Sequence, residues 1–305
     1  MKILKVLLCI LLPLIIIVFF LYLNRIPYKV KAFTRDIFSA SDPSERSSQI
    51  SVKRMHSGDI KVPLSNPLNL KHPACSEIKD KEITVPVFAY LIHHEKYGYF
   101  LIDSGCDSSY VNDPHGPMNG LLINSFVPET TLRPEDSIEK QLGDIKKEIR
   151  GVFFTHLHPD HTSGLRVLSE NITYVAGKGE ESLQIKWIFE ANHFRKTDTV
   201  YMLDFNSKES KNHSIGKAID IFGDGSLLAI STPGHTKGHV SYLVNNKDHP
   251  VLVSGDAICV NMSMEVGVGP GTCCSDTEVA QKTFERIYRF AKDNPEVEIW
   301  AGHDY

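Results

Sequence analysis

The sequence has no C-x-x-C pair and no regular cysteine spacing. Its six cysteines are Cys9, Cys75, Cys106, Cys259, Cys273 and Cys274. Setting aside Cys9, in the apolar amino-terminal stretch, leaves an odd number, so a disulfide framework does not follow. Adjacent Cys273 and Cys274 could bridge only with strain. A basic excess is also missing: 33 Lys and Arg stand against 37 Asp and Glu, for a formal charge of −4. No electrostatic footprint for nucleic acid is present, and none is expected as a partner. Nor is there a small-residue cleavage site after the first apolar stretch, where Tyr22-Leu23-Asn24-Arg25-Ile26 follows instead.

What is present begins with that stretch. Val6 to Leu23 is eighteen residues without a charge, long enough to cross a bilayer core. With no cleavage site, the reading is an uncleaved single-pass anchor over 1–25 that places the protein at a membrane. Lys2 and Lys5 precede the run while Arg25, Lys29, Lys31 and Arg35 follow it, so charge does not fix its orientation. Residues 26–48 read as a linker, because Ser39 to Ser48 is polar and turn-rich. Residues 49–305 then form one domain, with ample length for a substantial core.

Within that domain, β-type runs alternate with turns. Ile50–Lys53 and Ile60–Val62 are candidate strands. Ile83–Leu91 and Tyr99–Ile102 read as a hairpin, with His93 and His94 as exposed polar residues at its tip. A helix is predicted from Pro134 to Gly143, with Ile138 and Leu142 on one face. Another is predicted from about Asp276 to Lys292, where Ser275 and Glu278 have capping-box spacing. Further strands are predicted at Gly151–Thr155, Ile172–Val175, Ala218–Ile221, Leu227–Ile230, Val240–Val244, Val251–Ser254 and Val297–Ala301.

The densest chemistry is at residues 155–164, Thr-His-Leu-His-Pro-Asp-His-Thr-Ser-Gly, which hold three of the fourteen histidines in six positions. Leaving a strand, alternate residues point the same way, so His156 and His158 reach one metal ion while Leu157 turns to the core. Pro159 bends the chain, and Asp160 and His161 then address a second ion. Imidazole nitrogen and carboxylate oxygen are zinc ligands. The pattern of β-run, small-residue turn, then His or Asp recurs at Asp103, His235, Asp256 and His303. Each is a weak signal alone, but together they supply the missing ligands: one each from His235 and His303, with Asp256 between the ions.

Thr-His-Leu-His-Pro-Asp-His, then Pro-Gly-His-Thr-x-Gly-His, Gly-Asp and Gly-His-Asp, in that order, resemble the metallo-β-lactamase superfamily over residues 50–305. The resemblance implies an α+β fold, a four-layer αββα sandwich behind the anchor. It implies that His156, His158 and His235 bind one divalent ion, that Asp160, His161 and His303 bind another, and that Asp256 bridges them. Asp103 supports the motif loop and His239 is structural. Two Zn²⁺ are the expected cofactors, with iron or manganese compatible.

The implied activity is hydrolysis of a lactone or related ester of a small molecule by attack of a metal-bridging hydroxide, with Asp160 carrying protons. The stretch from Phe100 to Gly164 and the ending Ile299–Asp304 are most similar to the N-acyl homoserine lactonase group. Those lactonases carry a Tyr three residues after the bridging Asp. Here Cys259 occupies that place, a weak donor in the substrate pocket. A thioesterase similar to glyoxalase II, which should add a basic cluster for glutathione carboxylates, is the alternative hydrolase. A membrane-tethered, non-catalytic binding protein is the alternative of another class, although all seven ligand positions are filled.

Overall fold

The computed structural model describes residues 11–15, 17–18, 26–39, 49–170, 172–182, 184–185, 187–246 and 249–305. Its strands divide in chain order between two sheets. The first sheet holds β1 (Lys29–Ala32), β2 (Ile50–Pro63), β3 (Glu82–His94), β4 (Gly98–Ile102), β5 (Thr130–Thr131), β6 (Ile149–Phe153), β7 (Thr173–Gly177) and β8 (Thr199–Leu203). Their spatial order is β1-β8-β7-β6-β4-β3-β2-β5. The second sheet holds β9 (Lys211–Asn212), β10 (Lys217–Asp220), β11 (Leu227–Ser231), β12 (Val240–Val244), β13 (Val251–Val253) and β14 (Glu298–Trp300), with β14 parallel to β13 and the other pairs antiparallel.

Two-residue periodicity turns these strands into layers. In β4, Phe100 and Ile102 face the core between the sheets and Leu101 faces outward. In β12, Val240, Tyr242 and Val244 face that same core, and Leu243 faces outward. The outer side of the first sheet is covered by Ile138, Leu142, Leu157, Leu165 and Phe194. The outer side of the second is covered by Phe284, Ile287 and Phe290 of the helix Thr277–Asp293. The result is the expected αββα arrangement.

Several local expectations are corrected. The two short strands at 50–53 and 60–62 are one strand, β2, kept continuous by a register shift between His56 and Asp59, where Gly58 takes a positive φ of 103°. The linker 26–48 is not a linker at its start. β1 pairs with β8, and Tyr28, Phe33 and Phe38 are buried, because these apolar side chains complete the sheet's edge and core. The Thr277–Asp293 helix is capped by Asp276, whose carboxylate accepts from the backbone of Glu278 and Val279, rather than by Ser275. His94 is not an exposed hairpin-tip residue: it is buried against Phe222 and Tyr97 and bonds Asp224 across 2.9 Å. The stretch Val6–Leu23 falls mostly outside the described residues. Among the described residues, no helix is long and apolar enough to cross a membrane.

Candidate metal centre

Every residue of the proposed site follows the carboxyl end of a strand. Asp103 follows β4, the motif loop follows β6, His235 follows β11, Asp256 follows β13 and His303 follows β14. β6 delivers the motif loop while it is still extended, so His158 keeps φ −68° and ψ 156°. Pro159, with no N–H to leave unsatisfied, opens the one-turn helix Pro159–Thr162 and aims Asp160 and His161 sideways.

The first cluster is three imidazoles. His235 Nε2 lies 3.1 Å from His156 Nε2 and 3.0 Å from His158 Nδ1. Neutral imidazole carries one N–H and one lone pair, so His235 Nε2 can make a well-directed hydrogen bond to only one of these two neighbours. That convergence fits a cation. Burial and the neighbouring histidines hold His156 well below its usual range. Burial and His235 bring His158 down to about 4. Both rings are therefore neutral at pH 7, the form that binds metal.

The second cluster contains carboxylates. Asp160 Oδ2 lies 3.2 Å from His161 Nε2 and 3.4 Å from His303 Nε2. Asp256 stands between the clusters. Its Oδ1 is 3.5 Å from His161 Nε2 and 3.3 Å from His303 Nε2, while its Oδ2 is 3.4 Å from His235 Nε2. Burial opposes charge on His303, but the Asp256 and Asp160 carboxylates outweigh it and raise the ring to about 9. Burial likewise opposes charge on Asp160, and His161 and His303 override it to hold the carboxyl below its ordinary range. Among the described residues, His161 Nε2 and Asp256 Oδ1 are buried without a hydrogen-bond partner, an arrangement that a bound cation would complete. Nitrogen and oxygen donors in this number fit two divalent transition metals.

Residues behind the clusters fix their orientation. His161 Nδ1 donates to Asp103 Oδ2 at 2.8 Å, which turns Nε2 inward. His303 Nδ1 donates to the Pro86 carbonyl at 2.8 Å, with the same result. His239 Nδ1 donates to Thr232 Oγ1 at 2.8 Å, and its Nε2 accepts from the Asp256 backbone N–H at 3.0 Å. His239 thus holds the Asp256 loop. Close approach requires glycine here: a Cβ on Gly302 would sit 2.6 Å from Asp256 Oδ1.

Sequence reasoning missed Glu180. This buried carboxylate accepts from the backbone N–H groups of Leu157 at 3.1 Å and Gly238 at 3.0 Å, and from the Thr236 hydroxyl. It ties the His156–His161 loop to the His235–His239 loop. Its signal was available, since Gly177-Lys178-Gly179-Glu180 repeats the pattern of strand, glycine turn and acid. Cys273 and Cys274 were also missed as neighbours of the site. Both lie close enough to His235 for one ion to touch all three.

A cavity of about 390 Å³ opens on the clusters. Asp160, Asp256, His158, His235 and His303 line one end, and Cys259 lies in its wall with Sγ 3.5 Å from the Asp256 carbonyl. Ile60, Val62, Val85, Met118, Val127 and Phe189 are among the apolar residues of its lining.

A family model of the metallo-beta-lactamase superfamily matches residues 83–303. The chain belongs to that superfamily. Among curated relatives of this superfamily member, the N-acyl homoserine lactonase AttM of Agrobacterium fabrum is 29% identical over 235 residues, covering 74% of this chain and 83% of the relative. A cytoplasmic hydroxyacylglutathione hydrolase of Arabidopsis thaliana is 24% identical over 214 residues, covering 69% of this chain and 64% of that protein. Among solved structures, a B. thuringiensis AiiA mutant with N-decanoyl-L-homoserine bound at the active site superposes with a TM-score of 0.61 at 21% identity. That match covers 85% of this chain and 94% of the other.

Proposed function

We propose that this metal-dependent hydrolase opens lactones bearing an acyl chain, of the N-acyl homoserine lactone kind. In this reading His156, His158 and His235 would hold one divalent ion, Asp160, His161 and His303 would hold the other, and Asp256 would contribute to both. The observation that carries it is Asp256, whose two oxygens face the two histidine clusters separately. Zinc suits the donor set, and iron or manganese would accept the same ligands. When bound, such a pair supplies Lewis acidity and brings the pKa of a coordinated water toward neutral.

The chain's own residues supply the rest. Asp256 is 7% exposed and its two oxygens face the two histidine clusters; Asp160 is 21% exposed and lines the cavity. In this reading Asp160 takes a proton at Oδ from the attacking water and passes it to the leaving oxygen. An alkoxide is a poor leaving group and needs that proton. The apolar wall, with Ile60, Val62, Val85, Met118, Val127 and Phe189, would hold the acyl chain and exclude water. Among the described residues no Lys or Arg lines the cavity, which favours an acyl lactone over a glutathione thioester with its carboxylates. From the uncharged run Val6–Leu23 we further infer a membrane tether.

The test is hydrolysis of N-acyl homoserine lactones of increasing chain length, beside a hydroxyacyl thioester and a β-lactam, with metal content measured on the same sample. Each buried CH₂ is worth about 0.8 kcal/mol. The expected gain in kcat/KM is therefore roughly fourfold per methylene until the cavity is filled. Protein that holds two metal equivalents but leaves every lactone intact would overturn the reading.

A further inference from the structure

Beside the nitrogen and oxygen clusters lies a group of thiols that the hydrolytic reading leaves unused. Cys259, Cys273 and Cys274 are all free. Cys273 Sγ lies 2.9 Å from the Asn66 carbonyl and is in contact with the thiols of Cys259 and Cys274 and with His235. Cys274 Sγ is 3.9 Å from His235 Nδ1, the ring nitrogen on the side away from His156 and His158. The ligand atoms of His235, Cys273 and Cys274 all fall within 4.8 Å of one another. Two sulfurs on one tetrahedral zinc-sized ion are about 3.8 Å apart for bonds of about 2.3 Å, so side-chain adjustments close the site. Cys273 and Cys274 are half-buried, and Cys273 lines the cavity, so an ion in solution can reach them.

We propose that Cys273 and Cys274, with His235 Nδ1 as third ligand, form a site for a thiophilic cation such as Cd²⁺, separate from the hydrolytic pair. Thiolate donors select soft ions that the His and Asp clusters bind less well. Binding releases the protons of both thiols, and the ring proton of His235 moves from Nδ1 to Nε2. A neutral imidazole offers one lone pair, so a ring that binds through Nδ1 no longer offers Nε2 to the His156 and His158 side. The sulfur site therefore competes with the first hydrolytic ion for His235, and a soft cation acts there as an inhibitor.

Cadmium titrated into the full-length, metal-loaded protein reads the site directly, because thiolate-to-cadmium charge transfer absorbs in the ultraviolet and a nitrogen and oxygen site gives no such band. One cadmium per chain is expected to produce the band in the wild type. The Cys273→Ser/Cys274→Ser double variant, which keeps Cys9, Cys75, Cys106 and Cys259, is expected to lose it. No band in the wild type, or an equal band in the double variant, overturns the proposal. If the double variant fails to fold, cadmium NMR of the wild type decides: a resonance shifted as thiolate ligation requires supports the site, and only nitrogen- and oxygen-ligated resonances overturn it.

Discussion

Asp103 Oδ2 lies 2.8 Å from His161 Nδ1, although 58 residues separate them. The same carboxylate accepts from the Thr155 backbone N–H at its other oxygen, again at 2.8 Å, so it is locked in place before it orients the ring. Asp103 itself has a positive φ of 52°, a conformation tolerated where the surroundings over-determine it. The carboxylate thus decides which nitrogen His161 presents to the centre.

Replacing Asp103 with Asn tests that control. The amide has one acceptor oxygen for two N–H donors, so either Thr155 or His161 faces an NH₂ group. Metal affinity at the second cluster is expected to fall about 10–100-fold. Elemental analysis should show the stoichiometry moving from two toward one, with kcat/KM falling in step. Unchanged stoichiometry under chelator challenge would remove Asp103 from this role.

Asp160→Asn separates proton transfer from metal holding. The amide keeps the shape and a weak oxygen ligand but cannot carry a proton. Turnover of an acyl lactone is expected to drop by about two to four powers of ten. A thioester or aryl ester, with a better leaving group, should lose less. Equal losses for all leaving groups, with both metals retained, would speak against the proton shuttle.

Glu180→Gln probes the clasp between the two histidine loops. The amide would turn an NH₂ toward an N–H donor, at Leu157 or at Gly238, leaving one of them unsatisfied. Such a change costs about 1–3 kcal/mol. Thermal unfolding should move down by several degrees, given about 2–4 °C per kcal/mol in a chain of this size. A Tm equal to the wild type would show that the clasp does not stabilise the fold.

His193 sets a pH dependence. Its Nδ1 is 2.8 Å from Thr162 Oγ1, and its Nε2 is buried without a partner among the described residues. Burial first, and then the charge of Arg166, push the ring down to about 3. An unfolded His takes up a proton near pH 6.5, which the folded ring does not do until about pH 3. The unfolded state therefore binds more protons across that window, and stability falls as pH is lowered through it. The slope from one such group is at most about 1.4 kcal/mol per pH unit. His193→Gln should flatten the dependence of Tm on pH between 6 and 4, and an unaltered slope would assign it to other groups.

The apolar run at Val6–Leu23 makes its own prediction. Full-length protein is expected to remain with membranes after a carbonate wash and to retain Met1. A soluble form beginning near residues 25–35 would instead indicate a cleaved signal.

The sequence determined by itself what depends on a few neighbouring residues. Alternating apolar runs placed most strands within a residue or two. Turns followed by His or Asp mark Asp103, His156, His158, Asp160, His161, His235, Asp256 and His303 in the sequence alone. Two-residue alternation also put Leu157 in the core. Tertiary structure alone decided what depends on contacts between distant segments. β1 joins the sheet only because β8 offers it an edge, so polarity at 39–48 could not locate where the domain starts. His94 is buried because Phe222 and Asp224, more than a hundred residues away in sequence, pack on it. Glu180 is a clasp only because the two loops it joins converge on it. Cys273 and Cys274 became neighbours of His235 through the hydrogen bonds from Ser275 N to the His235 carbonyl and from Asp276 N to the Gly234 carbonyl. The separate aim of the Asp256 oxygens required both sheets to bring their strand ends to one edge, which is set by the packing of the αββα core rather than by any local preference.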